Sequence, residues 1–165
     1  MAEPLVPDEA KALIGEALSE PVTSTITAKE AQRFALAAGD LNPLFFDEDA
    51  AREAGYRTTL VPPTFLAWAL TQAGPVDELR VDGIPRGGGG KRVSLNVKRV
   101  MFGGEEWDFV SPVFAGDTVT SVTRLKGLDE KSGSSGPFVL QTTETTYTNQ
   151  DGDVVARARG LSIAR

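Results

Sequence analysis

The sequence contains no cysteine and no histidine among its 165 residues. Without cysteine there is no disulfide, no thiol nucleophile and no thiolate metal ligand. Without histidine the chain cannot build a Ser-His-Asp or Cys-His catalytic centre, or a metal site held by imidazole. We expect no metal and no cofactor.

Positive charge and long apolar runs are also scarce. Lysine and arginine number 17 against 23 acidic residues, for a net charge of −6, which disfavours non-specific binding to nucleic-acid phosphates. The apolar run around 60–70 is shorter than the roughly 20 residues that span a bilayer. Residues 1–10 lack the basic start and apolar core of a signal peptide. We expect a soluble cytoplasmic protein that binds neither nucleic acid nor membrane.

The first half of the chain carries mostly helical signals. Thr27 and Glu30 form a capping-box pattern at a helix start, and Asp47 is a suitable cap for another helix. Pro62 and Pro63 stand where a first helical turn tolerates proline. In chain order, the predicted elements are a helix over 5–19, a strand over 22–27, a helix ending at Gly39, a helix through Ala54 and a buried helix through Leu70.

The second half alternates apolar and polar residues, which indicates strands. The predicted strands lie around 93–98, 107–109, 138–147 and 154–163, with a tight turn at 151–152 and glycine-rich flexible connections at 87–90 and 132–136. This order predicts one α+β domain over residues 1–165, with an antiparallel sheet wrapped around a central helix. Such a sheet leaves an edge strand uncovered, so we expect a dimer.

Three local patterns suggest ligands, and each has a plainer explanation. The glycine run before Lys91 fails as a phosphate loop, because Arg92 stands where a serine or threonine has to hold magnesium. The carboxylates over 47–49 suit a helix start better than a metal. A basic cluster could hold coenzyme A phosphates or meet an acidic carrier protein, although a solvated strand face explains it more simply; its members are Arg86, Lys91, Arg92, Lys98 and Arg99.

The segment GDLNPLFFD over residues 39–47, with the alanine-rich stretch ending at Gly55-Tyr56, resembles the signature of the MaoC-like, hydratase-2 type dehydratases. The signature aspartate aligns with Asp40 and the Asn-Pro pair with Asn42-Pro43, but Phe45 stands in place of its histidine. The stretch SPVFAGDT over 111–118 resembles a later motif of the family. Trp107 and the VPPTF stretch over 61–65 look like the amino-terminal dehydratase subfamily, which often lacks the histidine.

This resemblance implies a hot-dog fold and an acyl-thioester substrate, carried by coenzyme A or an acyl carrier protein. Hydration of an enoyl thioester needs a base, an acid and backbone donors for the enolate oxygen. In the family, a glycine at the start of the central helix supplies such a donor; here Pro62 and Pro63 stand at that start and have no N–H. The remnant catalytic positions are Asp40 and Asn42, and the predicted substrate-contacting residues are Phe45, Phe46, Thr64, Phe65 and Trp68.

We therefore interpret the chain as the non-catalytic, substrate-shaping subunit of a heteromeric hydratase or dehydratase of fatty-acyl metabolism, in which a second hot-dog subunit brings the histidine. Alternatives remain open: a hot-dog acyl-CoA thioesterase, a stand-alone homodimer that binds acyl thioesters, or a homodimer that hydrates them through Asp40. Structural explanations are also open, because Asp40 and Asn42 suit a turn and aromatic residues often belong to a core.

Overall fold

The structure, a computed structural model, describes residues 3–71, 76–79, 81, 90–134 and 136–165. Five antiparallel strands form one sheet in the order β1-β3-β4-β5-β2. The strands are β1 (Val22–Thr25), β2 (Val100–Phe109), β3 (Thr118–Gly133), β4 (Gly136–Thr148) and β5 (Val154–Ala164). The helices are α1 (Asp8–Lys11), α2 (Ala28–Ala38), α3 (Glu48–Glu53) and α4 (Phe65–Ala69), with single turns at Pro43–Phe45 and Val76–Glu78.

Local capping chemistry positions α2 and α3 as predicted. The Glu30 amide donates to the Thr27 hydroxyl over 3.2 Å, and α2 ends at Gly39, whose φ of 72° is left-handed. Oδ1 of Asp47 accepts from the amides of Asp49 and Ala50 in the first turn of α3. The three carboxylates over 47–49 therefore serve the helix start, and Arg52 bridges two of them.

The helix predicted over 5–19 is wrong for most of its length, because only α1 is helical. Gly15 takes a left-handed φ of 91° that turns the chain. Its amide donates to the Leu125 carbonyl over 2.7 Å, and the Leu18 amide donates to Thr123 over 2.9 Å. This segment thus runs along the edge of β3, and those hydrogen bonds replace the helical ones.

The strand predicted over 93–98 is also wrong, although its burial alternates as expected. Val93, Leu95 and Val97 are half-buried against a cluster that includes Val6 and Val139. The Asn96 amide donates to the Leu5 carbonyl over 3.0 Å, but no ladder forms. The alternation of apolar and polar residues over 93–98 shows which side of the segment is buried. It does not show that the segment forms hydrogen bonds with another strand.

The two glycine-rich connections have different outcomes. Ser132 and Gly133 of the predicted flexible connection over 132–136 belong to β3, where Gly133 pairs with Gly136 of β4, and residue 135 lies outside the described residues. The other prediction, over 87–90, lies outside the described residues except for Gly90. No helix within the described ranges is long and apolar enough to cross a membrane.

The main core lies between the sheet and α4. Phe65, Leu66 and Leu70 are buried there, and Phe34 of α2 meets the Phe65 ring edge-on at 5.4 Å between centroids. The expectation that this helix is buried on every side is wrong for the single chain, because Trp68 is 59% exposed. One face of α4 covers the sheet and the opposite face is open.

Candidate functional site

The loop over residues 40–47 is built by side chains that hydrogen-bond to their own backbone. The Asn42 amide donates to Oδ1 of Asp40 over 3.1 Å, and the Leu44 amide donates to Oδ1 of Asn42 over 3.1 Å. Asn42 thereby caps the single turn that begins at Pro43. Asp40 is exposed to solvent. These two residues therefore hold the loop in shape.

The turn delivers Phe45 into the protein. Phe45 is only 6% exposed, and its carbonyl accepts from Nε2 of Gln32 on α2 over 3.3 Å. The neighbouring Leu44 carbonyl accepts from the Leu60 amide over 2.9 Å. Phe45, which the motif resemblance aligns with the family's histidine, is thus a packed phenyl ring that can transfer no proton.

Phe45 forms part of the wall of a cavity of about 330 Å³. The wall is predominantly apolar, and its polar side chains are those of Asn42 and Ser111. Among the residues that the structure describes, this wall carries no carboxylate, lysine or arginine side chain. The lining residues are Asn42, Leu44, Phe45, Leu60, Val61, Pro62, Pro63, Leu66, Phe109, Val110, Ser111, Pro112, Val113 and Val155.

The start of α4 lies at this wall but offers few backbone donors. Pro62 and Pro63 line the cavity and have no N–H. The Phe65 amide already donates to the Pro62 carbonyl over 2.9 Å. Thr64 is exposed, so its amide is a candidate oxyanion donor at this helix start.

Of the predicted site residues, Asn42 and Phe45 meet at the cavity. The others are not part of its wall: Asp40 and Thr64 are exposed, Phe46 is half-buried, Phe65 lies in the core, and Trp68 packs on Phe65 at 5.4 Å. Sequence reasoning missed most of the wall that follows β2, over 109–113. The resemblance of 111–118 to a family motif was the available signal for that segment.

Asp117 of the same motif is a buried carboxylate that joins distant parts of the chain. Its oxygens accept from the Phe114 amide over 2.9 Å, from Nε2 of Gln150 over 3.1 Å, and from the Arg57 guanidinium. Arg57 also lies over the Phe114 ring at 4.3 Å. These contacts fix the loop over 111–117, which carries part of the cavity wall.

An aromatic stack stands beside the cavity. The Trp107 ring lies 5.4 Å from Phe109 and 5.3 Å from Tyr147, and its indole N–H donates to Glu105 over 2.8 Å. Burial, and to a smaller extent the charge of Glu105, raises the pKa of Tyr147 to about 12. The phenol therefore stays neutral and serves packing.

The structure describes most of the residues that were candidates for a metal site or for the basic cluster. Within the described ranges, no group of three or more carboxylates could hold a metal ion. Lys91 pairs with Glu16 over 3.1 Å, while Arg92, Lys98 and Arg99 are exposed. Arg86 lies outside the described residues. The described members of this cluster lie on the irregular segment before β2 and not on a strand.

Comparison with known proteins gives a family match over most of the chain. The family described as "FAS1-like, dehydratase domain region" matches residues 12–158. A UPF0336 protein of Thermobifida fusca is 27% identical over 152 residues, covering 92% of this chain and 91% of the relative. A probable enoyl-CoA hydratase alpha subunit of Thermomonospora curvata is 28% identical over 157 residues, or 90% of this chain and 48% of that protein.

Solved structures give the fold. The ChsH1–ChsH2 complex of Mycobacterium tuberculosis matches with a TM-score of 0.73 at 17% identity, covering 94% of this chain and 88% of that chain. The HadBC (3R-hydroxyacyl-ACP dehydratase) complex of the same organism matches with a TM-score of 0.64 at 22% identity, covering 92% and 96%. The expected hot-dog architecture is confirmed.

Proposed function

The chain belongs to the family described as FAS1-like, dehydratase domain region, and from this premise we propose that it is the non-catalytic, substrate-shaping subunit of a heteromeric (R)-specific enoyl-thioester hydratase or 3-hydroxyacyl-thioester dehydratase. The resemblance to MaoC-like dehydratases is confirmed, and the family is of the hydratase type. The proposal places the chain in fatty-acyl metabolism in the cytoplasm.

Phe45 carries this proposal. Hydration of an enoyl thioester needs a group that removes a proton from water and a group that protonates the α-carbon. The position expected to supply an imidazole holds a packed phenyl ring, and no histidine exists elsewhere in the chain. Asp40 is exposed and is not part of the cavity wall. The described part of the chain therefore places no acid and base pair at the cavity.

The start of α4 is the second departure from a working site. Oxyanion stabilisation requires N–H groups aimed at the developing charge. Pro62 and Pro63 remove two such groups, and Phe65 uses its own within the helix start. Loss of the proton-transferring side chain and of most backbone donors at this helix start supports a role in which this chain no longer performs the chemistry.

The cavity supports a role in binding the acyl part of a thioester. Its volume of about 330 Å³ lies at the small end of the range for ligand sites, and its wall is predominantly apolar. Asn42 and Ser111 are the side chains that could hydrogen-bond to a carbonyl or hydroxyl there. Whether the acyl group arrives on coenzyme A or on a carrier protein is left open by this proposal.

A partner subunit is supported by apolar side chains that the single chain leaves exposed. Phe102 on β2 is 78% exposed and Trp68 on α4 is 59% exposed. Val100, Phe109 and Val110 add to the exposed apolar surface along and after β2. Several large apolar side chains left exposed in this way are typical of a surface that a partner covers. The relative from Thermomonospora curvata is named as an alpha subunit, which agrees with the proposal that this chain also works as one subunit of a larger assembly.

A stand-alone acyl-thioester-binding homodimer is the second candidate, and the apolar cavity favours it. It differs from the first proposal in needing no other subunit for function. A thioesterase that uses an acidic residue has less support, because neither α4 nor the described residues of the cavity wall include a carboxylate.

The test is co-expression with a histidine-containing hot-dog subunit, starting with the product of the adjacent gene. We expect the two chains to elute together in size-exclusion chromatography, and crotonyl-CoA hydration to require both. A matched Asp40→Asn variant of this chain should keep the activity of the complex within a few-fold. Absence of both a complex and an activity gain would remove the proposal, while a lipid-carrying homodimer would support the second candidate.

A further inference from the structure

The cavity that Phe45 helps to line has a polar rim and an apolar floor. Asn42 and Ser111 lie at the rim, where both residues are exposed. The wall residues that are buried form the floor, and all of them are apolar: Phe45, Val61, Pro62, Leu66, Val113 and Val155. This gradient suits a ligand that keeps a polar group at the rim and places an apolar tail on the floor.

The charge of the wall favours a neutral polar group over a carboxylate. Among the described residues, no lysine or arginine lines the cavity, so the ionised group of a free fatty acid would enter without a partner. A thioester carbonyl is neutral and needs only a donor. Oδ1 of Asn42 already accepts from the Leu44 amide over 3.1 Å, which leaves the Asn42 NH₂ group and the Ser111 hydroxyl to donate to a ligand at the rim.

The volume of the cavity limits the length of the tail. An engineered apolar cavity of about 150 Å³ holds one benzene molecule, or about 25 Å³ per carbon atom. At that packing, the volume of about 330 Å³ holds about thirteen carbon atoms. Because the thioester group takes up part of this space at the rim, the tail that fits has about eight to twelve carbon atoms.

Phe45 is the largest side chain of the floor. The turn over 43–45 packs against α2 and α3, and the Phe45 carbonyl accepts from Nε2 of Gln32 over 3.3 Å. These contacts fix the backbone from which the ring projects. A change in the size of this side chain therefore changes the depth of the cavity more than a change at any smaller floor residue.

We propose that Phe45 sets the length of acyl chain that the cavity accepts, and that the ligand is a medium-chain acyl thioester of about eight to twelve carbon atoms. The inference rests on the acyl-binding role in the proposed function, and it adds the length of the acyl group and the residue that limits it. Each buried methylene tightens binding about fourfold, equivalent to about 0.8 kcal/mol. Carbon atoms that find no room on the floor stay outside the cavity and add little.

The first measurement is isothermal titration calorimetry of the full chain with saturated acyl-CoA thioesters, from butyryl-CoA to palmitoyl-CoA, below their micelle concentrations. Affinity should rise about fourfold per methylene up to decanoyl- or lauroyl-CoA and then level off. Decanoyl-pantetheine should bind at least about tenfold more tightly than decanoate, because only the second ligand brings an unpaired charge to the rim.

The second measurement repeats the series with variants that change the floor in opposite directions. Phe45→Leu removes about three carbon atoms, so affinity should continue to rise up to myristoyl- or palmitoyl-CoA. Val113→Phe adds about four carbon atoms, so affinity should level off at hexanoyl- or octanoyl-CoA. Phe46→Leu is the matched control, because Phe46 is not part of the wall, and it should keep the wild-type profile. Circular dichroism checks the folding of each variant, and Val113→Phe decides alone if Phe45→Leu does not fold.

Three results would overturn the inference: no binding of any acyl-CoA, an affinity that does not depend on chain length, or a length limit that is the same in the wild type and in every folded floor variant. The proposed function fails in a different experiment. If the histidine-containing subunit forms no complex and brings no hydratase activity, the binding profile of this chain is unchanged. The two failures are therefore distinguishable.

Discussion

Replacing Phe45 with alanine should destabilise the protein by about 3 kcal/mol. Truncation of buried aromatic side chains costs about 3–5 kcal/mol, and Phe45 is 6% exposed. One side of its ring faces an existing cavity, so fewer packing contacts are lost and the lower end of that range applies. For a chain of 165 residues, about 3 kcal/mol corresponds to a fall in Tm of roughly 6–12 °C.

The assay is urea denaturation followed by tryptophan fluorescence, and the slope of free energy against urea should be unchanged. Phe46→Ala is the matched control, because Phe46 is half-buried and is not part of the cavity wall. It should cost less than about 1.5 kcal/mol. A loss below about 1 kcal/mol for Phe45→Ala, or equal losses for both variants, would show that Phe45 is not packed in the wall as described.

Three further outcomes follow from the same structure. Asp117→Ala leaves three donors without their acceptor and should cost about 3 kcal/mol by urea denaturation, whereas Asp117→Asn should cost less than half of that; equal losses would contradict the acceptor role. Burial and the charge of Glu105 raise the pKa of Tyr147 from 10.0 to about 12. The contribution of this phenol to stability is therefore present below pH 10 and is lost as the pH rises through about 12. The Tyr147→Phe variant should unfold less at alkaline pH than the wild type, as measured by circular dichroism. Phe45→His alone should give no measurable crotonyl-CoA hydration, because Asp40 stays exposed and α4 still begins after two prolines; clear turnover would contradict this.

Short-range chemistry could be predicted from the sequence because its partners are close along the chain. The caps at Thr27 and Asp47 and the stop at Gly39 lie within three or four residues of the groups they satisfy. The alternation in β4 and β5 was likewise sufficient to place long strands. These elements give the α+β order from which the sheet and its helix were predicted.

Long-range pairing could not be predicted in the same way. The amide of Gly15 finds its acceptor at Leu125, more than a hundred residues later, and this contact converts a predicted helix into a segment along β3. The partners of Asp117 at Arg57 and Gln150 are also remote in sequence. Local propensity carries no information about such partners, since closure of the whole sheet brings them together.

In the candidate site, too, the short-range features could be predicted from the sequence and the long-range ones could not. The motif around Asp40 and Asn42 identified a loop that does reach a cavity, through Asn42 and Phe45. The opposite wall, from Phe109 to Val113, is brought there by the end of β2 and could be assigned only after the fold was known. The roles of Asp40, Phe46, Thr64, Phe65 and Trp68 toward a substrate stay predictions.

Crotonyl-CoA hydration by the purified chain alone, measured at high protein concentration, tests the central claim most directly. A chain with a phenyl ring at the imidazole position and no positioned acid and base pair should show no turnover above the uncatalysed rate. It should acquire turnover only when a histidine-containing subunit is added. Robust turnover by the isolated chain, abolished by Asp40→Asn, would contradict the account.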